Sequence, residues 1–198
     1  MVRKKKVFAT VALSSSSQDR RVISIAKQCL EVLSSQGMKV LLDESLSLLK
    51  SNENRISKEK YIMSNSDLLV AIGGDGTMHE IINGMLSRED RKQIPIGLIP
   101  SGTGNSFMHD LDSLNPTIAA KKINQLQTRK IDLMKIKTES ETIFSFNVAG
   151  WGMPPDINIL AEKMRWLGLQ RYNIASLIEI MRFKKRQCDL IINNENIL

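Results

Sequence analysis

The chain has 198 residues, of which 42% are hydrophobic and 25% charged, so it can bury a core and is not a disordered chain. No apolar run reaches the ~18 residues of a membrane span and no secretory signal is found, so we expect a cytoplasmic protein. The formal net charge of +7 favours an anionic partner, and charge alone leaves open a nucleotide, a nucleic acid or an anionic membrane surface.

The first part of the chain alternates apolar runs with helical patterns. An apolar run predicts a strand over residues 6–13, and apolar steps of three and four residues predict a helix from about Asp19 to a stop at Gly37. Residues 38–42 predict the next strand. The polar stretch 43–65 has only a weak apolar pattern and predicts a loop with some irregular helix.

Two further strands are each predicted to end in a glycine-containing turn. Residues 67–72 predict a buried strand, which passes through the Gly-Gly-Asp-Gly-Thr turn 73–77 into a helix over 77–87. Residues 94–99 predict another strand, which passes through the turn 100–105 into a short helix. This alternation predicts a three-layer α/β fold with a mostly parallel sheet. Ligands of such sheets sit at the carboxyl ends of the strands, where both turns fall.

The pattern changes after a helix predicted over 117–126. Alternating apolar residues over 131–137 and 142–149, with turn residues between them, predict a β-hairpin. We therefore place a domain boundary near this hairpin. It separates an α/β domain of residues 1–129 from residues 130–198, where we expect the beginning of a second, β-rich domain whose sheet is unfinished.

Helical spacing returns over residues 172–183. The apolar residues of this segment fall on one face, which we interpret as core, with a lipid-contacting stripe as the alternative. These residues are Ile174, Leu177, Ile178 and Met181. A last strand is predicted to begin at Cys188.

Residue usage argues against two kinds of site. Cys29 and Cys188 form no Cys-x-x-Cys pattern and gain no metal-ligand spacing from the two histidines. We therefore expect both cysteines to be small buried hydrophobes, and no protein-held metal. The aromatic content is 5%, without interleaving of aromatic and basic residues, which argues against a nucleic-acid partner.

The carboxylate of Asp75 is the unusual feature of the first glycine turn. Glycine amides and a helix N-terminus attract anions, so an acidic residue there needs a compensating group. Mg²⁺ carried by a nucleotide would compensate it, and so would a substrate hydroxyl whose proton it accepts. The turn therefore predicts phosphate chemistry around Asp75, with a solvated aspartate in an ordinary tight turn as the alternative.

Three blocks of the chain resemble one protein family. The turn 73–77 is similar to the signature shared by NAD kinases and the diacylglycerol, sphingosine and ceramide kinases. Residues 79–85 and 96–105 look like the lipid-kinase catalytic domain, and 145–152 with 162–172 resembles the sphingosine and ceramide kinase group in particular. The resemblance implies a Rossmann-like α/β domain of the NAD kinase and diacylglycerol kinase type.

The resemblance also implies a donor and an acceptor. In that family ATP is the phosphoryl donor, Mg²⁺ accompanies it, and the acceptor is a lipid hydroxyl. Asp75 would be the catalytic base or a metal-linked carboxylate. Residues of both turns would line the nucleotide phosphates, namely Gly73, Gly74, Gly76, Thr77, Ser101, Gly102, Thr103, Gly104 and Asn105.

Five further residues match family positions. Glu80 would support the first turn from its helix, and Arg165 and Arg171 match a pair that the family places on the phosphates, where fork-shaped guanidiniums suit spread negative charge. Asp156 matches an acidic position near the lipid pocket. Asn158 stands where sphingosine kinases carry an aspartate that recognises an amino group, which leaves ceramide or another neutral lipid open.

The resulting hypothesis is an ATP-dependent lipid kinase that phosphorylates a sphingoid base, a ceramide or a diacylglycerol-type lipid. Two stretches depart from the lipid kinases: serines at 14–17 replace an Asn-Pro and glycine-containing loop, and residues 36–43 are more similar to NAD kinases. An NAD kinase-like enzyme therefore stays an alternative, as does a truncated, non-catalytic relative that binds a nucleotide or a membrane. The expected partner is a lipid substrate at a membrane surface, with peripheral membrane contact.

Overall fold

The structure is a computed structural model that describes residues 8–15, 17–49, 54–101, 105–125, 128–168, 170–189 and 191–196. Its contacts divide the chain into two compact units, Met1–Asn147 and Val148–Leu198. The first unit holds a parallel sheet with its helices and a hairpin, and the second holds helices and a short two-stranded ribbon. The predicted domain boundary near Arg129 stays a prediction.

Five parallel strands form the sheet of the first unit, in the order β3-β2-β1-β4-β5. Strand β4 is buried along its whole length, and so is β1 after its first residue, which explains why both strands have unbroken apolar runs. This sheet confirms the predicted α/β fold. The strands are β1 Thr10–Ser15, β2 Lys39–Asp43, β3 Asn54–Ile56, β4 Leu68–Gly73 and β5 Ile96–Pro100.

The helices of the first unit pack against this sheet and against each other. Helix α1 buries the apolar face that the spacing predicts, including Ala26 and Leu33, and Gly37 follows it with a φ of +75°, a left-handed conformation that favours glycine. The described helices of this unit are α1 Arg20–Ser35, α2 Lys58–Met63, α3 Asp75–Leu86, α4 Ser106–Asp110 and α5 Pro116–Asn124.

The two cysteines differ in their surroundings. Cys29 is buried on α1, and burial raises the pKa of its thiol to about 12, which confirms its predicted place in the core. Cys188 is exposed, so the prediction that both are buried is wrong for this residue.

Two predicted segments differ from the structure. The stretch 43–65 contains a 3₁₀ helix at Glu44–Leu46, then β3 and α2, and the strand was missed because only three residues pair at the sheet edge. Helix α3 begins at Asp75, two residues before the predicted start. Glycine favours turns in isolation, but here packing of Met78, Ile81 and Ile82 in the core extends the helix through Gly76.

The predicted hairpin is present and belongs to the first unit. Strands β6 Met134–Lys137 and β7 Thr142–Ser145 are antiparallel, and the side chain of Asn83 on α3 attaches β7 to the helix. The Phe144 N–H donates to the Asn83 Oδ1 at 2.7 Å, and the Asn83 Nδ2 donates to the Phe144 carbonyl at 2.8 Å. One amide side chain thus satisfies both backbone groups of a strand residue.

We expect Asn83→Ala to lower the free energy of unfolding by about 2 kcal/mol, because the N–H and C=O of Phe144 both lose their side-chain partner. Urea unfolding followed by circular dichroism measures the change. The variant Asn83→Asp keeps the acceptor for the Phe144 N–H but sets a carboxylate oxygen against the Phe144 carbonyl oxygen, so it should lose at least as much. A loss below ~0.5 kcal/mol in Asn83→Ala would contradict this role for the side chain.

The second unit is built from two helices that pack together, α6 Met153–Lys163 and α7 Gln170–Arg182, joined through a 3₁₀ helix at Arg165–Leu167. Ala161 and Ala175 are fully buried. Helix α6 was not predicted, because Pro154 and Pro155 suggest a loop, yet proline is tolerated in the first turn of a helix. A ribbon of β8 Ile191–Ile192 and β9 Glu195–Asn196 follows.

The apolar face predicted on α7 is not core in the described structure. The side chain of Leu177 is 61% exposed and that of Met181 is 79% exposed, whereas Ala175 and Glu179 are the buried residues of the helix. The helical spacing of the apolar residues located this face correctly, but the opposite side of α7, with Ala175 and Glu179, is the buried side. The core prediction for this face is therefore wrong.

Candidate active site

The two glycine turns lie side by side at the carboxyl edge of the sheet. Strand β4 ends at Gly73 and β5 ends at Pro100, and these two residues are paired across the sheet. The Ser101 N–H then donates to the Gly73 carbonyl at 3.0 Å. The strand order reverses between β1 and β4, so the turns also adjoin the point where ligands of open α/β sheets bind.

Helix α3 presents its N-terminus at this edge. Gly74 is the residue before the helix, and Asp75, Gly76 and Thr77 form its first turn. Backbone N–H groups of a first turn lack partners within the helix and carry a partial positive charge, which suits a phosphate. The structure thus places the predicted phosphate-binding residues of this turn together.

The glycines of the first turn have different roles. A Cβ on Gly73 would lie 2.2 Å from the Thr77 Oγ1, so the fold itself requires a glycine there. A Cβ on Gly76 would meet no atom within 4 Å, and this residue is exposed. The protein alone therefore gives no reason for glycine at position 76, whereas close approach of a ligand does.

The Asp75 carboxylate joins the first turn to helix α4. Its Oδ2 accepts from the Ser106 N–H at 2.8 Å, and its Oδ1 accepts from the Phe107 N–H at 3.3 Å. These amides begin α4, directly after the second turn. The alternative of a solvated aspartate in a tight turn is therefore wrong, because the half-buried side chain is oriented by two backbone donors.

The second turn is described at its two ends. The Ser101 hydroxyl is buried and has no hydrogen-bond partner among the described residues, as expected for a group that a ligand could satisfy. Asn105 is the residue before α4. The predicted phosphate contacts of Gly102, Thr103 and Gly104 lie outside the described residues.

A cavity of about 460 Å³ opens between the end of β1, the 3₁₀ helix at Glu44–Leu46, α2 and the start of α3. We call it the serine cavity. Two of the predicted site residues, Thr77 and Glu80, contribute to its wall. The cavity is lined by Ser14, Ser15, Ser17, Gln18, Ser45, Tyr61, Ile62, Thr77, Glu80 and Ile81.

The buried carboxylate of Asp43 organises the wall of the serine cavity. Its Oδ2 accepts a hydrogen bond from the Ser14 hydroxyl, and its Oδ1 accepts one from the Ser45 N–H at 2.8 Å. The Ser45 hydroxyl in turn accepts from the Ser15 N–H at 3.0 Å. Asp43 is fully buried and was not among the predicted site residues. The available signal was that β1 and β2 both pass from apolar residues to a polar one at their carboxyl ends.

Tyr61 closes the floor of the same cavity. Its hydroxyl donates to the Val70 carbonyl at 3.1 Å. Burial raises the pKa of Tyr61 far above its ordinary value, and the negative charge of Asp43 raises it further. The phenol is thus neutral at all ordinary pH values and acts as a hydrogen-bond donor.

A second cavity, of about 360 Å³, lies at the start of α4, and we call it the α4 cavity. Ser106 and Phe107, whose amides hold Asp75, both line it. Asp75 thus adjoins both cavities, because its two hydrogen-bond partners line the α4 cavity and Thr77, two residues further along the chain, lines the serine cavity. The remaining lining residues are Asp110, Arg129, Lys130, Ile131, Asp132, Phe146 and Asn147.

The predicted arginine pair lies in the second unit, where one carboxylate holds both members. Arg165 donates from Nε to the Glu162 Oε2 at 2.6 Å, and an Nη of Arg171 lies 3.6 Å from the Glu162 Oε1. The Arg171 guanidinium also stacks on the Tyr172 ring, 4.8 Å from its centroid. The structure therefore brings Arg165 and Arg171 together.

The two predicted lipid-pocket residues lie on α6. Asp156 is in the first turn of the helix and pairs with Lys184 at 3.3 Å and with Arg186 at 2.5 Å. Burial by itself would raise the pKa of Asp156, but hydrogen bonds from these two cations hold it below its ordinary value. Asn158 is exposed. Their predicted contact with a lipid stays a prediction.

The described residues contain neither a metal-binding cluster of side chains nor a membrane-spanning helix. Within the described ranges, no group of three or more histidine, cysteine, aspartate or glutamate side chains is arranged to hold a metal ion. No helix in the part of the chain that the structure describes is both long and apolar enough to cross a bilayer.

Comparison with known families agrees with this geometry. The sequence matches the diacylglycerol kinase catalytic domain over residues 9–136, which is more than half of the chain. The chain belongs to this family. This membership confirms the family resemblance of residues 73–77, 79–85 and 96–105. The match to the family ends before the arginine pair and the α6 residues, so their roles stay predictions.

Curated relatives of the family are kinases with much longer chains. Sphingosine kinase 1 of Arabidopsis thaliana is 36% identical over 129 residues, which cover 60% of this chain and 26% of that protein. Human mitochondrial acylglycerol kinase is 31% identical over 140 residues, which cover 66% of this chain and 33% of that protein. A putative lipid kinase of Staphylococcus carnosus is 35% identical over 149 residues, which cover 74% of this chain and 44% of that protein. This family member thus spans from about a quarter to under half of these relatives.

Solved structures of two kinases are also similar. A yeast NADH kinase complexed with NADH matches with a TM-score of 0.49 and 15% identity, covering 72% of this chain and 48% of that one. A diacylglycerol kinase from Bacillus anthracis matches with a TM-score of 0.48 and 22% identity, and the match covers 65% of this chain and 44% of that one.

Proposed function

We propose that the chain carries the nucleotide-binding, catalytic part of an ATP-dependent lipid kinase, with Asp75 beside the transferred phosphoryl group. The observation that carries the proposal is the bridge from the Asp75 carboxylate to the amides of Ser106 and Phe107, which joins both glycine turns at one sheet edge. Membership of the diacylglycerol kinase catalytic domain family supports the reaction class.

The donor would occupy the serine cavity and the start of α3. The nucleoside end of ATP would occupy the cavity of about 460 Å³, where Asp43 holds the Ser14 hydroxyl and the Ser45 backbone in place. The phosphates would then lie against the exposed amide of Gly76 and the N-terminal charge of α3. The unpartnered Ser101 hydroxyl supports a phosphate contact from the second turn.

The described residues also fit Mg²⁺, provided that the nucleotide phosphates supply most of its ligands. Mg²⁺ commonly binds through one or two carboxylates plus substrate phosphates and water. Asp75 offers one carboxylate, and the described residues hold no cluster of three such side chains. When bound there, the ion neutralises negative charge on the phosphates.

Asp75 would act on the acceptor hydroxyl. Its two backbone hydrogen bonds orient the carboxylate and leave lone pairs free for a hydroxyl proton. As that proton moves to Asp75, the hydroxyl oxygen forms a bond to the γ-phosphorus, and the bond from this phosphorus to the bridging oxygen of ADP breaks. The first-turn amides of α3 would stabilise the charge on the transferred group.

The acceptor would reach Asp75 from the α4 cavity. This cavity of about 360 Å³ is lined by exposed charged residues, which suits the polar head of a lipid rather than its chains. The acceptor class is a sphingoid base, a ceramide or a diacylglycerol-type lipid, and the neutral Asn158 favours a lipid without an amino group. Peripheral contact with a membrane would present such a substrate.

The proposal is tested by incubating the chain with γ-labelled ATP, Mg²⁺ and detergent-dispersed sphingosine, ceramide or diacylglycerol, and in parallel with NAD. We expect label in a lipid product. Label only in NADP would replace the proposal with an NAD kinase. Binding of Mg·ATP by calorimetry without any labelled product would identify a nucleotide-binding relative without turnover and would also overturn the proposal.

A further inference from the structure

Asp43 is a fully buried carboxylate that pairs with no cation in the part of the chain that the structure describes. Both of its hydrogen-bond donors, the Ser14 hydroxyl and the Ser45 N–H, are neutral groups. A buried charge without a cation is costly for a fold, and such departures are expected at functional sites. Asp43 lies directly behind the wall of the serine cavity, because Ser14 and Ser45 both line it.

This carboxylate fixes the direction of the Ser14 hydroxyl. An ionised carboxylate only accepts hydrogen bonds, so Ser14 must donate to it and keeps only lone pairs for a ligand. The Ser45 hydroxyl has the opposite sense. Its oxygen accepts from the Ser15 N–H at 3.0 Å, and its proton has no acceptor among the described residues, so it is free to donate. The wall thus presents an acceptor, Ser14, beside a donor, Ser45.

Two other hydroxyl groups of the wall are engaged by the protein itself. The Ser15 hydroxyl donates to the Ser17 carbonyl at 2.7 Å and accepts from the Ser17 N–H at 3.2 Å. The Tyr61 hydroxyl donates to the Val70 carbonyl. These groups are therefore less available to a ligand than the acceptor and donor that Asp43 organises.

The charge of the serine cavity determines which end of a nucleotide enters it. No lysine or arginine occurs among its lining residues within the described ranges, and Glu80 adds an exposed carboxylate. Phosphates are therefore repelled from the interior of the cavity, whereas the first turn of α3 attracts them. The uncharged nucleoside would point inward.

Ser45 lies on the side of the cavity that is remote from the phosphates. It follows β2, and the order β2-β1-β4 places β2 two strands, about 10 Å, from the strand that leads into the first glycine turn. The base is the part of a nucleotide that is farthest from its phosphates. Ile62 and Ile81 line the same cavity and supply apolar surface for a flat ring.

We propose that Asp43 is a positioning residue that selects adenine over 6-oxopurines, by holding Ser14 as an acceptor for the 6-amino group and leaving Ser45 to donate to the ring nitrogen N1. Adenine offers a donor at its amino group and an acceptor at N1. Hypoxanthine and guanine present the reverse pattern, an acceptor oxygen and an N1–H donor, which would leave both serines unsatisfied. The inference rests on the proposed function, because it takes the serine cavity as the nucleoside site.

The test is calorimetric titration of the full chain with Mg·ATP and with the Mg²⁺ complex of inosine triphosphate, in which an oxygen replaces the amino group. We expect the unaltered chain to bind ATP about thirtyfold more tightly, because two hydrogen bonds are lost with the inosine nucleotide. A third titration with 2′-deoxyATP tests whether the ribose faces these serines instead.

Asp43→Asn should reduce this preference for ATP to less than about threefold. The amide oxygen can still accept from the Ser45 N–H, but the amide nitrogen would donate to Ser14, which then turns its own proton toward the cavity. The variant should therefore bind ATP more weakly and the inosine nucleotide more tightly. A merely structural role of Asp43 would weaken both nucleotides equally and leave their ratio unchanged.

Ser14→Ala keeps the carboxylate and removes the acceptor, so it should lower the same ratio, and it decides the question if circular dichroism shows Asp43→Asn to be unfolded. Ser35→Ala is the matched control, because Ser35 is an exposed serine at the end of α1 that does not line the cavity. It should leave the ratio unchanged.

The outcomes separate this inference from the proposed function. If the unaltered chain binds neither nucleotide, the proposed function fails and the inference fails with it. If it binds both equally, or if the folded variants at positions 43 and 14 keep the preference for ATP, only the inference is overturned. It is also overturned if Ser14→Ala abolishes discrimination against 2′-deoxyATP while that against the inosine nucleotide remains, because the ribose would then face Ser14.

Discussion

Asp75→Asn should lower the rate of lipid phosphorylation by about 10²–10⁴, the usual contribution of a general base. The amide cannot accept the hydroxyl proton, but its oxygen can still accept one of the hydrogen bonds from Ser106 or Phe107. The loss should therefore fall on kcat, while the affinity for Mg·ATP changes only a few-fold. Initial rates with labelled ATP, together with calorimetric titration of Mg·ATP, measure the two quantities separately.

Asp112→Asn is a suitable control for this substitution. Asp112 is exposed after α4 and has a φ of +47°, a conformation that asparagine also adopts readily, so rate and stability should both stay near those of the unaltered chain. A near-normal rate in Asp75→Asn would contradict the role of base. A normal kcat with weakened nucleotide binding would instead identify Asp75 as a residue that only positions α4.

Gly76→Ala should separate stability from activity. Position 76 lies in the first turn of α3 and has space for a methyl group, so alanine should raise the free energy of unfolding by up to about 1 kcal/mol. The same methyl group would keep a phosphate from the backbone amide, and a displacement of about 1 Å at a reacting group can cost ~10² in rate. We expect kcat/KM for ATP to fall by about that factor.

Gly73→Ala gives the contrasting result. Its Cβ would overlap the Thr77 side chain, so this variant should lose stability together with activity. Urea unfolding and the labelled-phosphate assay on both variants make the comparison. If Gly76→Ala were as active as the unaltered chain, close approach of the phosphate to this amide would be excluded.

The parallel sheet and the two glycine turns were predictable because their signals are local. An apolar run such as Leu68–Gly73 needs only its own residues to indicate a buried strand, and the glycines that follow it mark the turn. The position of the candidate site then follows from the general rule that ligands of parallel sheets bind at the carboxyl ends of the strands.

The bridge from Asp75 to α4 and the role of Asp43 were not predictable in this way. Ser14 and Asp43 are distant in sequence and meet only because β1 and β2 pair in a particular register. Periodicity also fixed the apolar side of α7 without indicating whether it faces inward, since Leu177 and Ala175 each satisfy a helical pattern. Such outcomes depend on tertiary contacts that no local window contains.

The strand order has a consequence for how the protein folds. The central strand β1 pairs with β4, beginning at Val11 and Leu68, across a long stretch of sequence, and such non-local pairing is intrinsically slow. The proposed nucleotide site adjoins the carboxyl ends of β1 and β4 and so does not exist before these strands pair. A bound nucleotide would therefore prolong the lifetime of the folded chain by slowing its unfolding, and would do little to speed its assembly.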